Sequence, residues 1–433
     1  MPPTQYRRQS RHSGELPRER ENRGTTEKLR NQKPFCMATI LYFGNDWNAE
    51  NRTSSHHIAR RLAKLHDVYY IECPGMRAPQ ASGRDFRRIV QKLWRSLRGP
   101  RAVMPGLKVQ TLVQVPLHRF ALVRWLNARL IYWSVRWLMW RQGIRRPIAW
   151  FVAPHVASLV GRLDESLSVY YVTDDHASMP GMDRESMRRM DERLTRGADL
   201  VFVASDTLLE AKTAINPHTH YSPHGVDLEH FGRACDPAGR VPDDVQGLRQ
   251  PIVGFFGLVE RWIDLDLVRY LAEQRPHWTF LMIGRVAVAP ERVPQLANVH
   301  FIGKRAYEEL PDYGRAFTAA ILPFTLTPEA WHANPLKLLE YLAMGRPVVS
   351  VAIPAAERLG DVIQVAHNRD EFLAGLDEAV RQASNPEAVE RRLRRAAAAS
   401  WDSRVAEVLA LVQARLEEKA AGVAAVPAAP KAG

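Results

Sequence analysis

AAILPFTLTPEAWHANPLKLLEYLAMGRPVVSV, residues 319–351, holds a strand, a helix and a second strand in succession. AAILPF and RPVVSV are apolar runs of the length of buried strands. Between them Asn334 is suited to cap a helix, Pro335 to fill its first position, and Gly345 to close it as the residue after the cap. A strand and helix alternation of this kind builds a parallel sheet covered on both faces.

Read outward, the rhythm extends in both directions. PIVGFFG, WTFLMIG and NVHFIG precede this unit as further strands, separated by helical stretches. An earlier series, ATILYF, DVYYIE, LKVQTLVQV, PIAWFV, LSVYYV and ADLVFVA, ends near Phe231. The expected fold is α/β, with two doubly wound, Rossmann-like parallel-sheet domains facing a central cleft. The expected boundaries are a basic, disordered tail at 1–34, a first domain at 35–235, a linker at 236–250, a second domain at 251–384, carboxyl-terminal helices at 385–419 and a disordered tail at 420–433. A length of 433 residues suits two domains, and 46% hydrophobic with 25% charged residues is a globular composition.

The amino terminus lacks the apolar core of a signal peptide. Cys36, Cys73 and Cys235 have no metal-like spacing and form no even framework, which favours a reducing, cytoplasmic setting. The net charge of +13 is concentrated: from Arg84 to Arg146 there are fifteen Lys or Arg against one acid, Asp85. From Arg84 to Arg98 apolar and basic residues alternate with helical period, the pattern of a basic amphipathic helix. A second, Trp- and Arg-rich stretch, Phe120 to Trp140, has the length of a membrane span, but Arg124, Arg129 and Arg136 would each cost about 3 kcal/mol near its centre. A span is excluded. For this stretch two readings stay open, a helix in the membrane interface and an ordinary sheet-covering helix. The first basic segment favours an anionic membrane surface as partner, with the protein peripheral to the inner membrane. Nucleic acid is disfavoured, since no helix-turn-helix, zinc-finger spacing or RNP-type aromatic motif accompanies the charge.

The residues with chemical meaning cluster at the start of the helix described above. Its first N–H groups favour an anion such as a pyrophosphate, and Lys337 in the first turn adds a positive charge. Glu340, three residues on, can accept hydrogen bonds from two ribose hydroxyls. Taken alone, such a pair is equally an exposed Lys–Glu contact on a helix surface.

PLKLLEYLAMGRPVVS resembles the donor-site signature of glycosyltransferases with the two-Rossmann GT-B architecture. NVHFIGKRAYEELPDYGRAFTAAILPF and SPHGVDLEHF resemble further segments of that family. FGNDWNAENRTSSHHIARRLAKLHDVYYIE and YYVTDDHASMPG resemble the amino-terminal half of bacterial exopolysaccharide and teichuronic-acid transferases, so the likeness runs roughly from Ala38 to Ser384. The resemblance implies transfer of a sugar from a nucleotide-diphosphate donor, with UDP expected, to a lipid-linked or oligosaccharide acceptor. It implies that Lys337 neutralises the donor pyrophosphate and that Glu340 holds the ribose, with Asn334, Pro335 and Leu336 as donor-binding residues at the same helix start. Gly257 would let the backbone approach the phosphates, and Ile302, Gly303, Lys304 and Arg305 would border the base. Two features depart from the family. His332 stands where many relatives carry a second glutamate, and the basic residues of the loop after PIVGFFG are displaced, leaving Arg261 and Arg285 as substitutes. Retaining and inverting transfer both stay open.

An inverting reaction needs a base for the acceptor hydroxyl. Asp175 ranks first and Asp174 second, since both follow the strand LSVYYV; His155 and Asp46, after PIAWFVAP and ILYFGN, come next. Turn formation or helix capping is the alternative role for the aspartates. No metal or cofactor is implied, because the nucleotide sugar is a substrate and a lysine with a helix terminus can neutralise the leaving diphosphate. A sugar-nucleotide epimerase and a non-catalytic nucleotide-sugar-binding partner are the rival readings. A dinucleotide oxidoreductase is disfavoured, because no Gly-x-Gly-x-x-Gly turn follows ILYF or PIVGFF.

Overall fold

Short runs of β-branched and aromatic residues, buried along nearly their whole length, build two sheets. The computed structural model describes residues 37–48, 53–73, 99–112, 121–173, 184–327 and 335–424. The expected tail at 1–34, the basic segment Arg84–Arg98 and the candidates Asp174, Asp175 and Asn334 lie outside the described residues.

The first sheet comprises β1 (Thr39–Gly44), β2 (Asp67–Glu72), β3 (Arg101–Met104), β4 (Leu107–Thr111), β5 (Ile148–Phe151), β6 (Leu167–Val172), β7 (Leu200–Val203) and β8 (Thr219–Tyr221). Its order is β3-β4-β2-β1-β5-β6-β7-β8, parallel throughout except for the β3–β4 pair. The second comprises β9 (Ile252–Phe256), β10 (Thr279–Ile283), β11 (Val299–Gly303), β12 (Ala319–Leu322), β13 (Val348–Val351) and β14 (Gln364–Ala366), all parallel in the order β11-β10-β9-β12-β13-β14. Strand order reverses between β1 and β5 in one sheet and between β9 and β12 in the other. Open α/β sheets bind ligands beyond the carboxyl ends of strands at such reversals.

Both faces of the first sheet are covered, as a parallel sheet requires. On one face Tyr70, Tyr42, Trp150, Tyr171 and Phe202 stack side by side across five neighbouring strands, with ring centroids 5.2 to 6.3 Å apart. Helix α1 (Ser54–Leu62) lies against β1 and β2 and meets this row through Ser55, whose Oγ is 3.0 Å from the Tyr70 hydroxyl. The opposite face packs on helix α2 (Ala121–Gln142), which buries Ile131, Val135, Leu138 and Met139 with Phe43, Phe151 and Tyr170. Each such side chain contributes about 1.5 to 3 kcal/mol when fully buried. The Trp-rich stretch therefore covers the sheet with one of its faces.

In the second sheet, helix α3 (Leu336–Ala343) connects β12 to β13. Its amino terminus starts one residue later than expected: Pro335 is the cap, with extended backbone, and Leu336 is the first helical residue. The residue preceding a helix needs such a backbone, and proline adopts it readily. Gly345 closes the helix at φ +68°, with its N–H on the Leu342 carbonyl and that of Arg346 on Tyr341, the paired bonds of a Schellman motif.

Several expectations need correction. The stretch at 236–250 is not an uninterrupted linker, since Asp243–Gln246 is a turn of helix whose Val245 enters the second core. The tail does not begin at Ala420, because helix α4 (Trp401–Ala424) continues through an alanine-rich end that favours helix. β3, β8 and β14 were not expected; at three or four residues they carry too little periodicity to be read.

Helix α4 returns to the first sheet and packs on α1 and β6. Near its end the Lys419 Nζ lies 2.9 Å from both carboxylate oxygens of Asp199, which also accepts the N–H and hydroxyl of Ser168 at 2.8 Å. Burial alone would raise the proton affinity of Asp199, but the hydrogen bonds from Lys419 and Ser168 outweigh it and hold the carboxyl below its ordinary value. Stability from this contact is present above the ordinary aspartate value of 3.8 and fades as the pH falls through the lowered one. Lys419→Met is expected to destabilise the protein by on the order of 1 kcal/mol near neutrality. In urea melts over a pH series, its difference from wild type should narrow below the ordinary aspartate value. A constant difference would mean that the lysine acts through packing of its stem.

Candidate functional site

Lys337 sits at the second position of α3, and Gly257 directly follows β9 at the point where strand order reverses. Gly257 has φ +150°, and a side chain there would place its Cβ 2.3 Å from Cε and 3.0 Å from Nζ of Lys337. The lysine stem thus crosses the glycine backbone, bringing its ammonium beside the turn and the first N–H groups of the helix. Gly284, also at φ +150°, directly follows β10; a Cβ there would fall 1.8 Å from the Gly257 carbonyl oxygen. Among the described residues, two strand ends thus meet backbone to backbone, with the Lys337 stem lying across Gly257. The Gly257 and Gly284 N–H groups bond the Ile283 and Gly303 carbonyls, so the donors suited to a phosphate group here are the start of α3 and the Lys337 ammonium.

The helix is held in this register by Tyr341, whose buried hydroxyl accepts the Phe256 N–H at 3.0 Å while its ring meets Phe256 edge-on at 4.8 Å. The loop after Gly257 is pinned on both sides, with Val259 bridged to Val286 and Ile263 to Phe324.

Glu340 lies three residues after Lys337, one turn further into the helix. Burial pushes its carboxyl up to about 7, against the opposing pull of Lys337. Burial likewise lowers the proton affinity of the Lys337 amine, with Glu340 opposing. For both partners desolvation outweighs the mutual attraction.

The other expected donor-side residues are less concentrated. Pro335 and Leu336 form the helix start, while Ile302 and Gly303 end β11, where Gly303 accepts the Gly284 N–H at 2.9 Å. Lys304, Arg261 and Arg285 are exposed. Arg305 is engaged by the second domain itself: its Nε donates to the Tyr313 hydroxyl at 2.6 Å and its Nη2 to Asp244 at 2.7 Å. Two surface cavities, of about 450 and 660 Å³, lie elsewhere, and neither is lined by Gly257, Lys337 or Glu340.

In the first sheet, Asp46 follows β1 and His155 follows β5, the two strands at its reversal. Asp46 turns its Oδ1 onto the Asn48 N–H at 3.0 Å, an Asx turn. His155 is half-buried in the helical turn Pro154–Val156. The sequence reading overlooked Glu72, which ends β2 and is 7% exposed. It accepts the Trp47 N–H at 3.0 Å, the Asn48 amide at 3.4 Å and the Thr111 hydroxyl, and so fixes the loop that carries Asp46. Also overlooked was a cluster around Asp227, approached by His57 Nδ1 at 3.5 Å and by Arg61 Nη2 at 3.4 Å. His57 stacks on Trp401 at 5.6 Å, and His224 Nδ1 lies 2.9 Å from the Ser54 hydroxyl. The paired histidines at the start of α1 and the turn HGVD were the available signals, but nothing in their spacing joins residues so far apart.

Because the folded value of Glu340 lies above the 4.5 of an ordinary glutamate, its ionisation costs stability progressively as pH rises between the two. Glu340→Gln removes that cost. Its melting temperature relative to wild type, without nucleotide, is expected to rise from pH 5 toward pH 8. A difference independent of pH would show that Glu340 titrates normally.

Residues 250–385 match the family described as glycosyl transferases group 1. Over 184 residues the chain is 29% identical to TuaH of Bacillus subtilis (strain 168), named for teichuronic acid biosynthesis as a glycosyltransferase. That alignment takes in 41% of this chain and 46% of TuaH, so the chain spans about half the length of this curated relative. Among solved structures, sucrose-phosphate synthase from Thermosynechococcus elongatus superimposes with a TM-score of 0.61 at 14% identity, covering 88% of this chain and 100% of that one. The E. coli trehalose-6-phosphate protein bound with UDP-2-fluoro glucose gives 0.60 at 12%, covering 88% and 99%. Anabaena Alr3699/HepE in complex with UDP and glucose gives 0.54 at 15%, covering 87% and 99%. Residues 250–385 thus form a glycosyl transferase group 1 domain, within a chain that has the two-sheet GT-B fold.

Proposed function

We propose that the chain is a glycosyltransferase that takes a sugar from a nucleoside-diphosphate donor, a UDP-sugar, and passes it to a lipid-linked glycan acceptor at the inner leaflet during assembly of a cell-surface polysaccharide. The observation that carries the reading is the passage of Lys337 across the Gly257 backbone at the start of α3. A diphosphate seated there meets a helix terminus, glycine backbone and one ammonium, and Glu340 one turn on accepts the ribose hydroxyls. The match of residues 250–385 and the nucleotide bound by the Anabaena relative support the same donor class.

In this scheme the leaving diphosphate is stabilised by Lys337 and the helix terminus, without a metal or other cofactor. As the bond from the anomeric carbon to the diphosphate oxygen lengthens, charge builds on that oxygen beside the cation. The acceptor hydroxyl loses its proton to a base on the first sheet, with Asp175 the first candidate and Asp174, His155 and Asp46 behind it. No described helix is long and apolar enough to cross a membrane, so the acceptor is met from a surface-bound position in this proposal. An epimerase would use the same donor pocket but convert the nucleotide sugar without an acceptor.

Lys337→Ala and Glu340→Ala are expected to weaken UDP binding by roughly tenfold or more, without loss of fold, since each removes about 1.5 kcal/mol or more of charge-assisted contact. Calorimetric titration decides this, and unchanged affinity for every nucleoside diphosphate in both variants would sink the donor assignment.

Asp175→Asn is expected to reduce turnover by about a hundredfold or more while UDP affinity stays near wild type, because the group acts on the acceptor. If the loss instead follows Asp174→Asn or His155→Ala, the base is that residue.

A further inference from the structure

Helix α2 has two apolar faces, and the fold uses only one. Ile131, Val135, Leu138 and Met139 are buried in the core of the first sheet. On the other side Trp125, Trp133, Trp137 and Trp140 are 54, 65, 43 and 79% exposed. At roughly 3.6 residues per turn these four share less than half of the helix circumference with Arg129 and Arg141. Arg129 lies over the Trp125 ring at 4.5 Å and Arg141 over Trp137 at 5.2 Å. Large aromatic side chains lined up on a surface mark a binding face, since single exposed apolar residues are ordinary but a contiguous row is not.

We propose that this face is where the protein docks on an anionic lipid surface, with α2 lying parallel to the membrane and its indoles at headgroup depth. The proposal rests on the membrane-proximal acceptor put forward above and names the surface that meets the bilayer. Charge selects the occupant. The helix carries no Asp or Glu from Ala121 to Gln142, and Arg145 and Arg146, both exposed, extend the positive field beyond its end. Among the described residues, the acid Asp164 is already paired with Arg136 of this helix at 2.5 Å. A second copy docking face to face would set the arginine rows against each other. Lipid phosphates neutralise them instead, while indole rings prefer the boundary between headgroup and hydrocarbon. The helix cannot insert further, because its other face is committed to the sheet.

The test uses the full-length protein with vesicles of phosphatidylglycerol mixed with phosphatidylcholine, and of phosphatidylcholine alone. Wild type is expected to sediment with the anionic vesicles and not the neutral ones, and its tryptophan fluorescence to be quenched when the phosphatidylcholine is brominated. Substituting Trp133→Ser, Trp137→Ser and Trp140→Ser together, or Arg129→Glu with Arg141→Glu, should weaken vesicle binding by at least about tenfold, with melting temperature and UDP binding kept. Absence of vesicle binding or of quenching in the wild type overturns the proposal. Equal binding by both variants also overturns it, and transfers membrane contact to another part of the chain. A dimer that the tryptophan variant dissociates without changing vesicle binding would assign the face to a second copy. Failure of UDP to bind wild type, with vesicle binding intact, would count against the transferase reading and leave the docking face standing.

Discussion

Lys337 occupies the space that a side chain at residue 257 would need, and the packing of the second domain follows from keeping that space open. Gly257 and Gly284 both adopt backbone conformations that residues with a Cβ rarely enter, and the turns they form touch at their backbones. The helix that delivers the lysine is located by Tyr341 on Phe256 at one side and by the glycine closure at Gly345 at its end. Arg392, buried, donates to the Gly345 carbonyl at 2.9 Å, tying in the helix Pro386–Ala398. The position of the lysine is thereby settled by packing within the second domain.

The strands of both sheets were legible because a buried parallel strand reads as a near-continuous apolar run. The three that were not, β3, β8 and β14, are outer strands of their sheets, too short to show a period and fixed by neighbours distant in sequence. In the donor region local rules located the helix to within one residue, with the cap at Pro335 in place of Asn334, while the roles of Lys337 and Glu340 came from the family resemblance. Arg305 shows the limit of such rules. The family resemblance implied contact with a base, but its guanidinium is held by Asp244, 61 residues earlier. The Asp227 cluster was invisible for the same reason, since its arginine also binds Asp402, 341 residues away.

The returning α4 is held against the first half of the chain, and magnitudes say which of its contacts matter. Lys64 and Asp402 are both more than half exposed, so their ion pair at 3.5 Å is worth little in water. Arg61 is better shielded and binds both Asp402 and Asp227, adding direction more than strength. Trp401 contributes more than either: it is 1% exposed, and removing a side chain of that size from a packed site costs about 3 to 5 kcal/mol. Its backbone N–H donates to the Val226 carbonyl at 3.0 Å, and a Cβ on Gly225 would come within 2.8 Å of its nitrogen. Gly225 therefore stays bare for a packing reason, while His57 and His224 gather on the same indole. His57, held against that tryptophan beside Asp227, and His224, within hydrogen-bond distance of the Ser54 hydroxyl, have restricted orientations. The turn at Gly225 therefore serves stability and fixes the orientation of two imidazoles through one indole ring.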